Sequence, residues 1–196
     1  MSSKSRLKPD GKYHKVMDNI IRLHVPSQIK YTSLVEDFMR SLGAHIYPDD
    51  EVRRDTLCTV MNEIFTNVVK HSDTVHRDGL VRFQLEIGIK ELRVSIYDHG
   101  PGIKVNGQYP PYSNKLTGVR KPFRRVIDGT VFLEVIDPRN VLFTFEKSAS
   151  AAELSENLKH LRGHGLGISI ITKIMDSVIY SLRDDGQFDW QMIKNL

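Results

Sequence analysis

The chain has 196 residues, 40% hydrophobic and 27% charged, with a single cysteine and a net charge of +4. That length buries a core without metal or disulfide support, and the charge suits an anionic ligand or acidic partner while being too small to indicate nucleic acid. No apolar run approaches the ~20 residues of a membrane span, so no membrane insertion is expected. The polar, basic stretch Met1–Lys15 has no signal-peptide core. Cys58 cannot form an internal disulfide and reads as a small buried filler, which fits a cytoplasmic protein.

In chain order, residues 1–17 read as a tail. Asn19–Val25 reads as a strand stopped by Pro26. Leu34, Val35, Phe38, Met39 and Leu42 recur at helical spacing, and Gly43 is expected to end that helix. Pro48-Asp49-Asp50 opens a longer helix running to about His71, with Leu57, Val60, Met61, Ile64, Phe65 and Val68 on its apolar face. Leu80–Ile87 and Leu92–Asp98 are two strands joined by the Gly88–Glu91 turn, with Arg82, Gln84 and Glu86 on a wetter face. A polar stretch rich in glycine and proline runs from Gly102 to about Gly129. Val131–Ile136 and Val141–Phe145 then form a hairpin around Asp137-Pro138-Arg139-Asn140. Ala151–Leu161 is helix-like, Gly163–Gly167 is a glycine cluster, and Ile168–Met175 is an apolar helix. Val178–Leu182 and Phe188–Ile193 make a last hairpin. The order predicts an α/β two-layer sandwich of helices on a mixed, largely antiparallel sheet rather than a βαβ repeat.

Three clusters carry candidate chemistry. Glu63, Asn67 and His71 are four apart and share one helix face, which fits either a solvated stripe or a polar edge of a site. Asp98-His99-Gly100-Pro101-Gly102 closes a strand in a tight bend, with Asp98 as an acceptor at its end; a simple turn is the plainer reading. Arg162-Gly163-His164-Gly165-Leu166-Gly167 precedes an apolar helix, so its backbone N–H groups and the helix dipole suit phosphate. No Gly-x-x-x-x-Gly-Lys-Ser/Thr run is present, and the glycine spacing does not match a dinucleotide fingerprint. His71 and His76 are too isolated for a zinc site.

Taken together, these clusters resemble the N box and the two glycine boxes of the GHKL ATPases, the superfamily of histidine kinase catalytic domains and gyrase B. Within it the chain is similar to the anti-sigma-factor serine/threonine kinases, because a short strand ending in Pro26-Ser27 leads through two helices into Asn62–His71. The resemblance covers roughly residues 18–103 and 162–193. It implies a single ATP-binding domain over 18–196, with Asp98 accepting from the adenine amino group and Asn67 holding Mg²⁺. Gly163, Gly165 and Gly167 would fold over the phosphates, with Gly100, Gly102, His71 and Leu166 around the nucleotide. Glu63 would be the general base for a serine or threonine hydroxyl, and Arg162 and His164 cations near the γ-phosphate. It further implies a homodimer whose partners are a sigma factor and a STAS-type anti-anti-sigma protein.

Two features depart from the group. After Gly186 stands Gln187-Phe188, where the group usually has a threonine near adenine. The segment between the glycine boxes, an extended lid or insertion at about 104–161, is also much longer than the group's. Its hairpin must bury alternating Val141, Phe143 and Phe145 against this domain, a second copy or a partner. We expect it to serve partner recognition or dimerisation rather than nucleotide contact. The alternative to a kinase is a nucleotide-sensing interaction module of the same fold. A detached histidine kinase catalytic domain is the weaker third reading, since nothing resembles a phosphoacceptor helix pair.

Overall fold

A computed structural model describes residues 19–72, 74–77, 79–148 and 166–196. Eight strands form one sheet: β1 (Asn19–Pro26), β2 (Leu80–Ile87), β3 (Glu91–Asp98), β4 (Arg120–Val126), β5 (Gly129–Asp137), β6 (Asn140–Lys147), β7 (Ser177–Leu182) and β8 (Phe188–Asn195). The helices are α1 (Thr32–Ile46), α2 (Glu51–His71), the short α3 (Thr74–Arg77) and α4 (Gly167–Ile174). The sheet order is β1-β2-β3-β8-β7-β6-β5-β4. Every pairing in it is antiparallel, so the parallel component expected of a mixed sheet is not present among the described strands. The sheet is assembled from four hairpins and three longer connections, β1 to β2, β3 to β4 and β6 to β7.

Alternation sorts the strands onto two faces. Val81, Phe83 and Leu85 of β2 and Leu92, Val94 and Ile96 of β3 are buried on the helix side. Arg82, Gln84 and Glu86 are only half-buried on the other face. α1 and α2 pack together over this half, burying Val35, Met39, Val60, Met61, Ile64 and Phe65 completely. Phe65 stacks on Phe83 with ring centroids 6.1 Å apart, tying α2 to the sheet. Cys58 is the buried filler that was expected, 4% exposed, with its thiol pushed up by burial.

Gly43 does not end α1, which continues to Ile46. A Cβ there would lie 3.2 Å from Arg54 Cγ, so the glycine permits the close crossing of α1 and α2 instead. α2 begins after Asp50, whose carboxylate caps it by accepting from Arg53 N at 3.0 Å.

The long segment after Gly102 joins the main sheet. β4, β5 and β6 form a meander, and β6 pairs with β7 through Val141↔Tyr180 and Phe143↔Val178. Val131, Leu133, Val135, Val141 and Phe143 are buried, and α4 packs over β5, β6 and β7 as well as against α2. The alternating apolar face of the hairpin is therefore covered by this domain itself. β4 was not anticipated: Arg120-Lys121-Pro122-Phe123-Arg124-Arg125-Val126 is strongly basic and holds a proline, both suited to an edge strand.

Candidate functional site

A cavity of about 380 Å³ lies between the helix layer and the sheet, within the size range of small-molecule sites. α2 contributes Asn67, Val68 and His71 from its last two turns, β3 contributes Asp98, β8 Trp190 and α4 Ile168. The far wall is Phe123 and Arg124 of β4. The i, i+4 spacing of Asn67 and His71 puts both on the exposed edge of α2, and Val68 beside them belongs to the core.

Asp98 ends β3 on the helix side, 7% exposed. Its Oδ1 accepts from Gly100 N, and its Oδ2 from the Tyr180 hydroxyl at 3.2 Å. Burial raises its pKa, while the donors Gly100, Tyr180 and Trp190 act against that shift. Burial, followed by the nearby Asp98 charge, keeps the Tyr180 hydroxyl protonated far above the ordinary phenol range. This pair fixes a carboxylate with acceptor capacity left over at the cavity floor. Tyr180, outside the predicted site, stacks on Phe188 at 5.0 Å and leans on Trp190 at 4.6 Å. It gives the Asp98 neighbourhood a hydroxyl where the Gly186-Gln187 turn supplies no threonine.

The glycines are explained by close approach. Gly102 has φ +83, and a Cβ there would sit 2.7 Å from Phe188 Cζ and 3.0 Å from Pro110 Cδ. Gly100 folds back to donate to Asp98. At the start of α4, a Cβ on Gly167 would lie 2.6 Å from Glu63 Oε2 and 2.9 Å from Asn67 Nδ2. The first turn of α4 therefore rests directly on the two polar side chains of α2. Leu166 is exposed, and its carbonyl accepts from the Ser169 hydroxyl at 2.7 Å. Glu63 is half-buried and borders Gly167 rather than lining the cavity.

Asn67, His71 and Asp98 are thus brought to one cavity, with Glu63, Gly100, Gly102 and Gly167 around it. Arg162, Gly163, His164 and Gly165 lie outside the described residues. Tyr180, Trp190, Phe123 and Arg124 were missed, since strand pairing that only the tertiary fold defines brings them in.

The sequence matches the family described as Histidine kinase-like ATPase domain over residues 25–191. The chain belongs to that family. Membership implies ATP binding, and the cavity fits it: a buried carboxylate floor, an aromatic wall, and a glycine-started helix against Asn67. No protein of curated function matches the chain. Among the described residues no helix is long and apolar enough to cross a membrane.

Proposed function

We propose that this ATP-binding domain is a cytoplasmic anti-sigma-type protein kinase. It would bind Mg-ATP in the cavity between α2, β3 and α4 and phosphorylate a serine or threonine on a STAS-type antagonist. A sigma factor would be the other partner, and the active form a homodimer. The observation that carries this reading is the meeting of Glu63 and Asn67 at Gly167, where α4 begins. A binding module needs no carboxylate at that point, whereas phosphoryl transfer to a hydroxyl uses a base.

In this reading Asp98 accepts from the adenine amino group and Trp190 flanks the base. Asn67 would hold the Mg²⁺, and the N-terminal turn of α4 offers backbone N–H groups and the positive end of its dipole to phosphate. Bound ATP supplies the phosphoryl group. Glu63 would take the proton from the partner's hydroxyl, so the transfer needs only positioning and charge neutralisation besides.

Transfer of radiolabel from ATP to STAS-type candidates tests this. Glu63→Gln is expected to keep nucleotide affinity and lose about 10²–10⁴-fold in transfer rate. Transfer within a few-fold of wild type would remove Glu63 as the base. The absence of a threonine after Gly186 favours a second reading, a nucleotide-sensing module without kinase activity. That reading expects ATP binding by the wild type and no transfer to any partner.

A further inference from the structure

We propose that Arg124, held in place by the bulge at Phe123, is a phosphate-binding residue of the nucleotide cavity, contributed by the edge strand of the meander. This rests on the reading of that cavity as the ATP site.

In a regular strand consecutive side chains point to opposite faces. Phe123 and Arg124 are consecutive, yet both line the same cavity. The β4–β5 register accounts for it: Pro122 pairs with Phe132 and Arg124 with Val131, leaving Phe123 as the extra residue of a bulge. Bulges re-aim side chains in this way and recur beside functional sites. The arrangement is anchored on both sides. Arg124 is opposite Val131, a fully buried core residue, and the Phe123 ring packs edge-on against Phe143 at 5.1 Å. Phe143 in turn lies 5.4 Å from Trp190, so the β4 wall is fixed relative to the β8 wall.

Two neighbouring basic groups have acidic partners. Arg120 pairs with Glu146 at 2.5 Å and Lys173 with Asp128 at 2.7 Å. Arg124 is half-buried, and among the described residues no carboxylate lies within ion-pair distance of it. Asp98, the one carboxylate among the described residues that line the same cavity, accepts instead from Gly100 and Tyr180. A half-buried guanidinium aimed into a cavity with Asn67 and His71, and not joined to the base-recognising carboxylate, suits the anionic part of the ligand. Its planar fork donates two parallel hydrogen bonds to a phosphate.

The test is calorimetry with ATP, ADP and adenosine, with Mg²⁺ present, on wild type and on Arg124→Ala, Arg124→Lys and Asp98→Asn. Arg124→Ala is expected to weaken ATP by about tenfold or more, as for a lost charge-assisted bond, and adenosine by less than about twofold. Arg124→Lys should recover part of the ATP affinity through its retained charge. Equal losses for ATP and adenosine would overturn the phosphate role and put Arg124 on the base or ribose. ATP affinity within twofold of wild type in Arg124→Ala, with a clear loss in Asp98→Asn, would overturn the inference and leave the ATP site standing. If Asp98→Asn also binds ATP like wild type, the reading of the cavity itself fails and this inference with it.

Discussion

The two walls of the cavity come from regions of opposite character. The α2–β3 wall is built from segments whose shape follows from local pattern: a long amphipathic helix and a strand ending in Asp98-His99-Gly100. The β4 wall comes from Arg120–Val126, a basic run interrupted by proline that carries no local strand signal. It is a strand because β5 offers it a partner, and it faces the cavity because of one bulge. Residues on the first wall can be placed from spacing, whereas residues on the second depend on which strands become neighbours. The meander is thus part of the core, and it also supplies one side of the site.

The sharpest way to break this comparison is Phe143→Ala. The ring is 3% exposed and links Phe123 to Trp190, so its loss is expected to cost about 3–5 kcal/mol in denaturant unfolding. A cost below about 1 kcal/mol would mean that the meander is an appendage, since surface substitutions fall in that range. The same logic applies to excising Asp128–Lys147. That segment contains all of β5 and β6, so excision takes away β4's partner and exposes β7; it could not isolate a partner-binding role.

Asp98→Asn sharpens the comparison from the first wall. ATP affinity should fall by about 1–3 kcal/mol by calorimetry, the cost of losing a charged acceptor. Stability of the ligand-free protein should move the other way. Because burial raises the Asp98 pKa above 3.8, the folded state holds the proton more tightly than the unfolded one. Wild-type stability therefore declines as pH rises from that unfolded value through the folded one. The variant lacks this decline, so thermal melts of the two should diverge towards neutral pH in the variant's favour. A variant less stable than wild type at neutral pH would show that the hydrogen bonds from Gly100 and Tyr180 outweigh the burial of charge.

The smallest effect expected is that of Asp128→Asn. Lys173 Nζ on α4 reaches both Asp128 oxygens, at 2.7 and 2.9 Å, and lies over the Phe145 ring. The hydrogen bond from Lys173 holds the Asp128 carboxyl below its usual 3.8. Its contribution is present above that value and disappears as pH falls through the folded pKa. The pair is largely exposed, so the loss should stay within about 1 kcal/mol and shrink in high salt. A larger loss would make this bridge a main tie between α4 and the meander.

Most of the described helix layer and seven of the eight described strands were legible because each follows a short-range period. The errors that remain have physical causes. Gly43 read as a helix terminator because glycine usually is one, while here it serves a helix crossing that sequence does not display. The largely antiparallel sheet that was expected is antiparallel in every described pairing, while the strand order depends on how the long connections return.

By itself the sequence determined that Glu63, Asn67 and His71 share a helix face, that Asp98 ends a strand in a glycine bend, and that a glycine starts α4. These follow from 3.6- and 2-residue periods and from the freedom of glycine, which act over a few residues. Only the tertiary structure decided that Tyr180 meets Asp98 across 82 residues of chain. Only it decided that the meander continues the sheet beyond β7 and that Arg124 lines the same cavity as Asn67. Strand neighbours are selected by burial summed over the whole sheet, and no local window of sequence contains that sum.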